Sequence, residues 1–214
     1  MTRLAALVVG GEIAAWQSLG FQGADDHFAI SDVEVHVRGG SLGLIGWAFE
    51  VGRAGHVEID GIPTELVESM PERPTASPLA VTSVVGLDHV VVNTNDAGRT
   101  CAAIERELGL PVRRVRELGN GVTQTFHKAA NTVIEVISGP HITEPGARLW
   151  GMVASVADID ALAADITVRL GGDALSTPKP AVQPGRTIAT VRASAGIGVP
   201  FAFMSPHIPD NLGR

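Results

Sequence analysis

The chain has 214 residues, of which 45% are apolar and 18% charged, and its formal net charge is −7. This composition supplies a sizeable core and excludes an intrinsically disordered chain. The acidic balance, without a basic run to reverse it, argues against a nucleic-acid or anionic-membrane partner, and no stretch approaches the roughly 18 apolar residues of a membrane span.

A single cysteine, Cys101, leaves no partner for an intramolecular disulfide and points to a reducing, cytoplasmic setting. It shares a predicted helix face with Ile104 and Leu108 and reads as a packing residue. The apolar run at residues 4–9 is too short for the core of a signal peptide, and Glu12 follows it, so the start reads as a strand.

In chain order, one pattern recurs three times: strand, helix, then further strands. The first copy covers residues 1–53. A strand at 4–9 is followed by a helix at 12–19 that carries Ile13, Trp16 and Leu19 on one face and stops at Gly20. Strands are expected at 27–30 and 33–37, with His36 facing away from Val35 and Val37, and a closing strand at 42–51. Residues 54–84 read as a Pro-rich linker, because Pro71, Pro74 and Pro78 crowd one short stretch.

The second copy covers 85–139. Its first strand ends at Asn95 and Asp96, either of which can cap the helix that runs to Leu108 and stops at Gly109. Strands at 112–117 and 122–127 flank Gly119-Asn120-Gly121, a hairpin signal, and a last strand lies at 132–137. The third copy covers 148–206. Asp158 caps a helix with Ile159, Leu162, Ile166 and Leu170 at helical spacing, and Gly171 ends it.

Chemistry concentrates in the second copy. His89 and Glu135 each stand alone in a β-branched run, Leu87-Asp88-His89-Val90-Val91-Val92 and Val133-Ile134-Glu135-Val136-Ile137. Strand alternation gives Val90, Val92, Ile134 and Val136 to the helix side and turns Leu87, His89, Val91 and Glu135 to the other face. If the two strands are neighbours, ~4.8 Å apart, both side chains can reach one cation. A lone buried carboxylate is costly, and a metal removes that cost. The competing reading is a core histidine and a water-facing glutamate.

The repeated βαβββ unit and these two strands resemble the vicinal oxygen chelate superfamily of glyoxalases, bleomycin-resistance proteins and extradiol dioxygenases. The resemblance implies an α+β fold in which two modules, 85–139 and 148–206, pair into a cup-shaped mixed sheet with helices outside. It implies a divalent metal ion held by His89 and Glu135, with Glu135 also exchanging a proton with a small-molecule substrate that carries adjacent oxygens. Gln124, Phe126 and Arg192 are the candidate substrate-binding residues. Copy three departs from the pattern, since Gly151 and Ala202 fall opposite His89 and Glu135. Glu50 joins the site only if copies one and two pair. The alternative is a binding protein of the bleomycin-resistance type, without metal. An unpaired first copy implies a homodimer. His127 reads as a surface residue, and His141 and His207 as candidates for the cup rim.

Overall fold

The computed structural model describes residues 1–69 and 84–206. Its elements are β1 (Arg3–Gly10), α1 (Ile13–Ser18), β2 (Gly23–Ala24), β3 (His27–Ile30), β4 (Val33–Arg38), β5 (Gly43–Glu50), β6 (Gly55–Ile59), β7 (Ile62–Val67), β8 (Val84–Thr94), α2 (Ala97–Leu108), β9 (Val112–Gly119), β10 (Val122–Lys128), β11 (Val133–Ser138), β12 (Ala147–Val156), α3 (Ile159–Leu170), β13 (Lys179–Pro180), β14 (Thr187–Thr190) and β15 (Phe201–Met204). Two mixed sheets result, ordered β2-β3-β4-β1-β5-β7-β6 and β13-β14-β15-β12-β8-β11-β10-β9. The α+β class and the repeated strand–helix–strand unit are as expected. Pro71, Pro74 and Pro78 of the linker and His207 lie outside the described residues.

The second sheet contains two complete units. In each, the first and last strands are parallel neighbours: β8 with β11, and β12 with β15. The antiparallel β8–β12 pair joins them. Local chemistry sets the helix ends. Asp96 accepts a hydrogen bond from the Arg99 amide and Asp158 one from the Ala161 amide, each 2.9 Å, which satisfies orphan first-turn donors. Gly109 ends α2 with φ 65°, a conformation that penalises any residue with a Cβ.

The first sheet departs from the three-copy expectation. Residues 42–51 do not close the first unit; β4 does, parallel to β1. β5 instead opens a further unit, antiparallel to β1 and parallel to β7. Residues 55–67 are therefore a hairpin and not linker, turned at Asp60-Gly61 with positive φ at both positions (49° and 94°). This fourth unit has no helix, since only residues 51–54 connect β5 to β6. Its apolar face, with Trp47, Phe49, Ile59, Ile62 and Leu66, is covered by the other sheet: α2 packs on β6, and β12 on β5 and β7.

The two sheets thus share one core. Trp16 of α1 is fully buried and meets Phe28 of β3 and Phe201 of β15, with ring centroids 4.9 and 5.3 Å away. Phe21 stacks on Phe203 at 6.2 Å. Polar contacts frame this core. Arg169 of α3 donates to the Ser18 and Leu19 carbonyls at the end of α1 (2.5 and 3.1 Å), where a cation suits the helix dipole. Asp60 accepts from Arg99 and Thr100 at the start of α2, each at 2.5 Å. The first unit's pairing partner therefore lies within the same chain, and the ground for expecting a homodimer is gone.

Candidate functional site

The register of β8 against β12 breaks at Asp88: His89 lies opposite Val153, but Leu87 lies opposite Ala154. The extra residue is a β-bulge, which re-aims side chains. Leu87 joins Val90 and Val92 in the core instead of sharing a face with His89, as strict alternation would require. Both Asp88 and His89 are thereby turned to the face opposite α2 and α3, and His89 Nδ1 lies 2.8 Å from Asp88 Oδ1.

From β11, the neighbour of β8, Glu135 projects onto the same face, with Oε2 3.3 Å from His89 Nε2. The glutamate's other oxygen accepts a hydrogen bond from Gln124 Nε2 of β10. Behind the histidine, the second Asp88 oxygen accepts from Arg186 and from Ser155 Oγ (2.9 Å), and Arg186 Nε donates to the Ser205 carbonyl at 2.8 Å. The result is a continuous chain, Arg186–Asp88–His89–Glu135–Gln124, in which His89, Glu135 and Arg186 are 8%, 6% and 7% exposed.

Burial tunes the carboxylates in opposite directions. Burial opposes charge on Asp88, but hydrogen bonds to His89 and Arg186 outweigh it and hold the carboxyl well below the usual range. Burial pushes the Glu135 carboxyl up, and the nearby His89 only partly offsets this. Asp88 is a fixed anion that orients the imidazole. Glu135 is a carboxyl able to take up and release a proton.

These donors can be tested against a divalent cation. Two ligands ~2.0–2.2 Å from one ion, at tetrahedral or octahedral angles, lie roughly 2.8–3.6 Å apart. The His89–Glu135 separation of 3.3 Å falls in that interval. The other histidine nitrogen already bonds a carboxylate, as metal-ligating imidazoles do. Among the described residues no group of three or more His, Cys, Asp or Glu side chains is placed to hold a metal. Gln124 can supply a third donor, because turning its amide presents Oε1 in place of Nε2. Across the sheet, Val153, Ala202 and Met204 form an apolar wall without donors. The residues present fit a metal held from one side and open on the other.

Phe126 lies directly opposite Glu135 in the β10–β11 register and therefore on its face. An open cavity of about 480 Å³ adjoins it, lined by Arg113, Phe126, His127, Lys128 and Val133. The structure does not bring Arg192 to the cluster. It stands half-exposed, 3.8 Å from Asp173. The cation that meets the site is Arg186, from a loop whose Pro184-Gly185 context carries no chemical signal. Glu50 lies in the other sheet, opposite Arg3. His127 is not a surface residue: it is fully buried, with Nδ1 2.7 Å from the Leu110 carbonyl. His141 is exposed in the connector between β11 and β12.

Neither a protein-family model nor a curated protein sequence matches the chain. Solved structures do. A triple mutant of 4-hydroxymandelate synthase from Streptomyces coelicolor aligns over 98% of this chain and 94% of its own, with a TM-score of 0.66 and 13% identity. Methylmalonyl-CoA epimerase from Mycobacterium tuberculosis aligns over 62% of this chain and 95% of its own, with a TM-score of 0.50 and 18% identity. Such identities speak for architecture alone, and the architecture of this chain is that of the vicinal oxygen chelate fold.

Proposed function

We propose that the protein is a divalent-metal-dependent enzyme acting on a small molecule with adjacent oxygens, by isomerase, lyase or dioxygenase chemistry. One observation carries this reading: His89 Nε2 and Glu135 Oε2, from two buried side chains on one sheet face, lie 3.3 Å apart. His89, Glu135 and, with its amide turned, Gln124 would hold the ion. A divalent cation there supplies Lewis acidity toward two substrate oxygens.

The chain's own residues do the rest. Asp88, held by Arg186 and Ser155, fixes the His89 ring through Nδ1 and aims Nε2 at Glu135. Glu135, whose carboxyl burial pushes up, can exchange a proton with a carbon or oxygen of a bound substrate. Phe126 and the wall of Val153, Ala202 and Met204 give an apolar body to the binding face and limit water there. The buried cysteine, its thiol pushed up by burial, takes no part and suits a cytoplasmic setting.

The donor-free wall favours a second reading, a metal-free binding protein for an apolar compound. Elemental analysis of purified protein, before and after incubation with Mn, Fe, Co, Ni and Zn salts, separates the two. About one ion per chain supports the enzyme. Absence of stoichiometric metal after reconstitution overturns it in favour of the binding protein.

A further inference from the structure

Nine arginines among the described residues, including Arg3, Arg99, Arg169 and Arg186, each lie within ion-pair distance of a carboxylate. The other three, Arg113, Arg114 and Arg116, have no ion-pair partner among those residues, and all three lie on β9. Register gives their direction. Arg114 pairs with Phe126 and Arg116 with Gln124, so both share the face of Glu135. The β9–β10 register shifts between Phe126 and His127, which makes Arg113 an extra residue on β9, and Arg113 lines the cavity beside Phe126. Lys128, opposite Val133, lines the same cavity and is likewise without an ion pair.

Four cations without an ion pair among the described residues gather here in a chain of net charge −7, with 16 basic and 23 acidic residues. A bound anion would supply negative charge and relieve the mutual repulsion of these cations. Arg116 lies opposite Gln124, whose amide donates to Glu135, so the cluster is continuous with the His89–Glu135 pair. The cavity, about 480 Å³, is of small-molecule size, whereas a nucleic acid would need a basic surface extending well beyond one strand.

We propose that this face takes a small anionic substrate. Arg113, Arg114, Arg116 and Lys128 hold its carboxylate or phosphate group, and its reacting end meets His89 and Glu135. The inference rests on the reading of that pair as the reacting centre, but the anion subsite can be tested without metal.

The test is calorimetric titration of the metal-free full chain, in EDTA at low ionic strength, with malonate, inorganic phosphate and uncharged dimethyl malonate. Malonate or phosphate should bind, and affinity should fall as salt is raised. Arg113→Gln combined with Lys128→Gln should weaken binding by about tenfold or more, as should Arg114→Gln combined with Arg116→Gln. These side chains are on the rim, so circular dichroism should be unchanged. Tighter malonate binding identifies a carboxylate, and tighter phosphate binding a phosphate. The inference fails if neither anion binds, if both double variants bind like the parent, or if dimethyl malonate binds as well as malonate. Anion binding in a protein that takes up no metal would uphold this subsite and sink the metal reading alone.

Discussion

The two sheets of this molecule are built on one plan and differ in what faces outward. Each joins two units through an antiparallel pair of first strands, β1–β5 and β8–β12. On the first sheet, the face turned from the shared core carries Ala5, Ala6, Ala48 and Val67 near its centre. On the second, the corresponding face carries His89, Glu135, Gln124 and the Asp88–Arg186 pair. Near the centre of that face the first sheet carries small side chains, and its polar residues, such as the Glu34–His36 pair, are partly exposed; the second sheet has a connected set of polar groups in which His89 and Glu135 are buried. The fold therefore does not dictate the chemistry; a few outward-facing positions do. The halves differ also in completeness. The first sheet lacks a helix over β5–β7 and takes its cover from α2 and β12.

That dependence runs both ways, and breaking it should have the largest effect. A chain beginning at Val84 keeps the second sheet but exposes Phe201 and Phe203, which now pack on Trp16 and Phe21. We expect such a chain to lose cooperative unfolding and to aggregate, since removing even one buried aromatic costs about 3–5 kcal/mol. A soluble monomer with a sharp thermal transition would show the halves to be independent.

A smaller effect, confined to the second half, is expected at Arg186. Arg186→Met leaves the half-buried Asp88 carboxylate with one fewer partner, which should cost about 1–3 kcal/mol in denaturant titration. It should also reduce metal affinity by roughly 10–100-fold, because Asp88 orients the imidazole. Unchanged stability would mean that the pair is solvated and does not brace His89.

The smallest effect concerns His127, buried under α2 with Nε2 unpartnered among the described residues. Burial pushes its pKa down, outweighing the Leu110 carbonyl that favours the charged form. A histidine with a depressed folded pKa leaves the unfolded chain holding more protons below pH ~6.5, so stability is full above that pH and falls as pH drops toward the folded value. The slope cannot exceed about 1.4 kcal/mol per pH unit for one group. His127→Phe should flatten it in urea titrations between pH 7.5 and 5; an unchanged slope assigns the acid sensitivity elsewhere.

Much of this architecture was legible in the sequence because local signals agreed. Leu-Gly helix ends, the Asp96 and Asp158 caps and the Gly119-Asn120-Gly121 turn all lie where the structure has them. His89 and Glu135 could be placed on one face because β8 and β11 pair in parallel without a break. What escaped was non-local. The helix-less unit has no 3.6-residue periodicity to announce it, and the Asp60-Gly61 turn was the one signal that could have separated it from a linker. The bulge at Asp88 is set by pairing with β12, so period-two reasoning put Leu87 on the wrong face. Arg186 reaches Asp88 across 98 residues, and no spacing rule finds such a contact. His127 beside Lys128 read as a hairpin end, but its strand parity with Thr125 gives it to α2.

The contrast between the halves is tested most directly by calorimetric titration of the full chain and two variants with a divalent metal. The parent should bind about one ion. Glu135→Ala should weaken binding by about 100-fold, since it removes one of few protein donors. Glu50→Ala, which alters a strand end on the other sheet, should bind like the parent. Equal loss in both variants, or no uptake by the parent, would contradict the account.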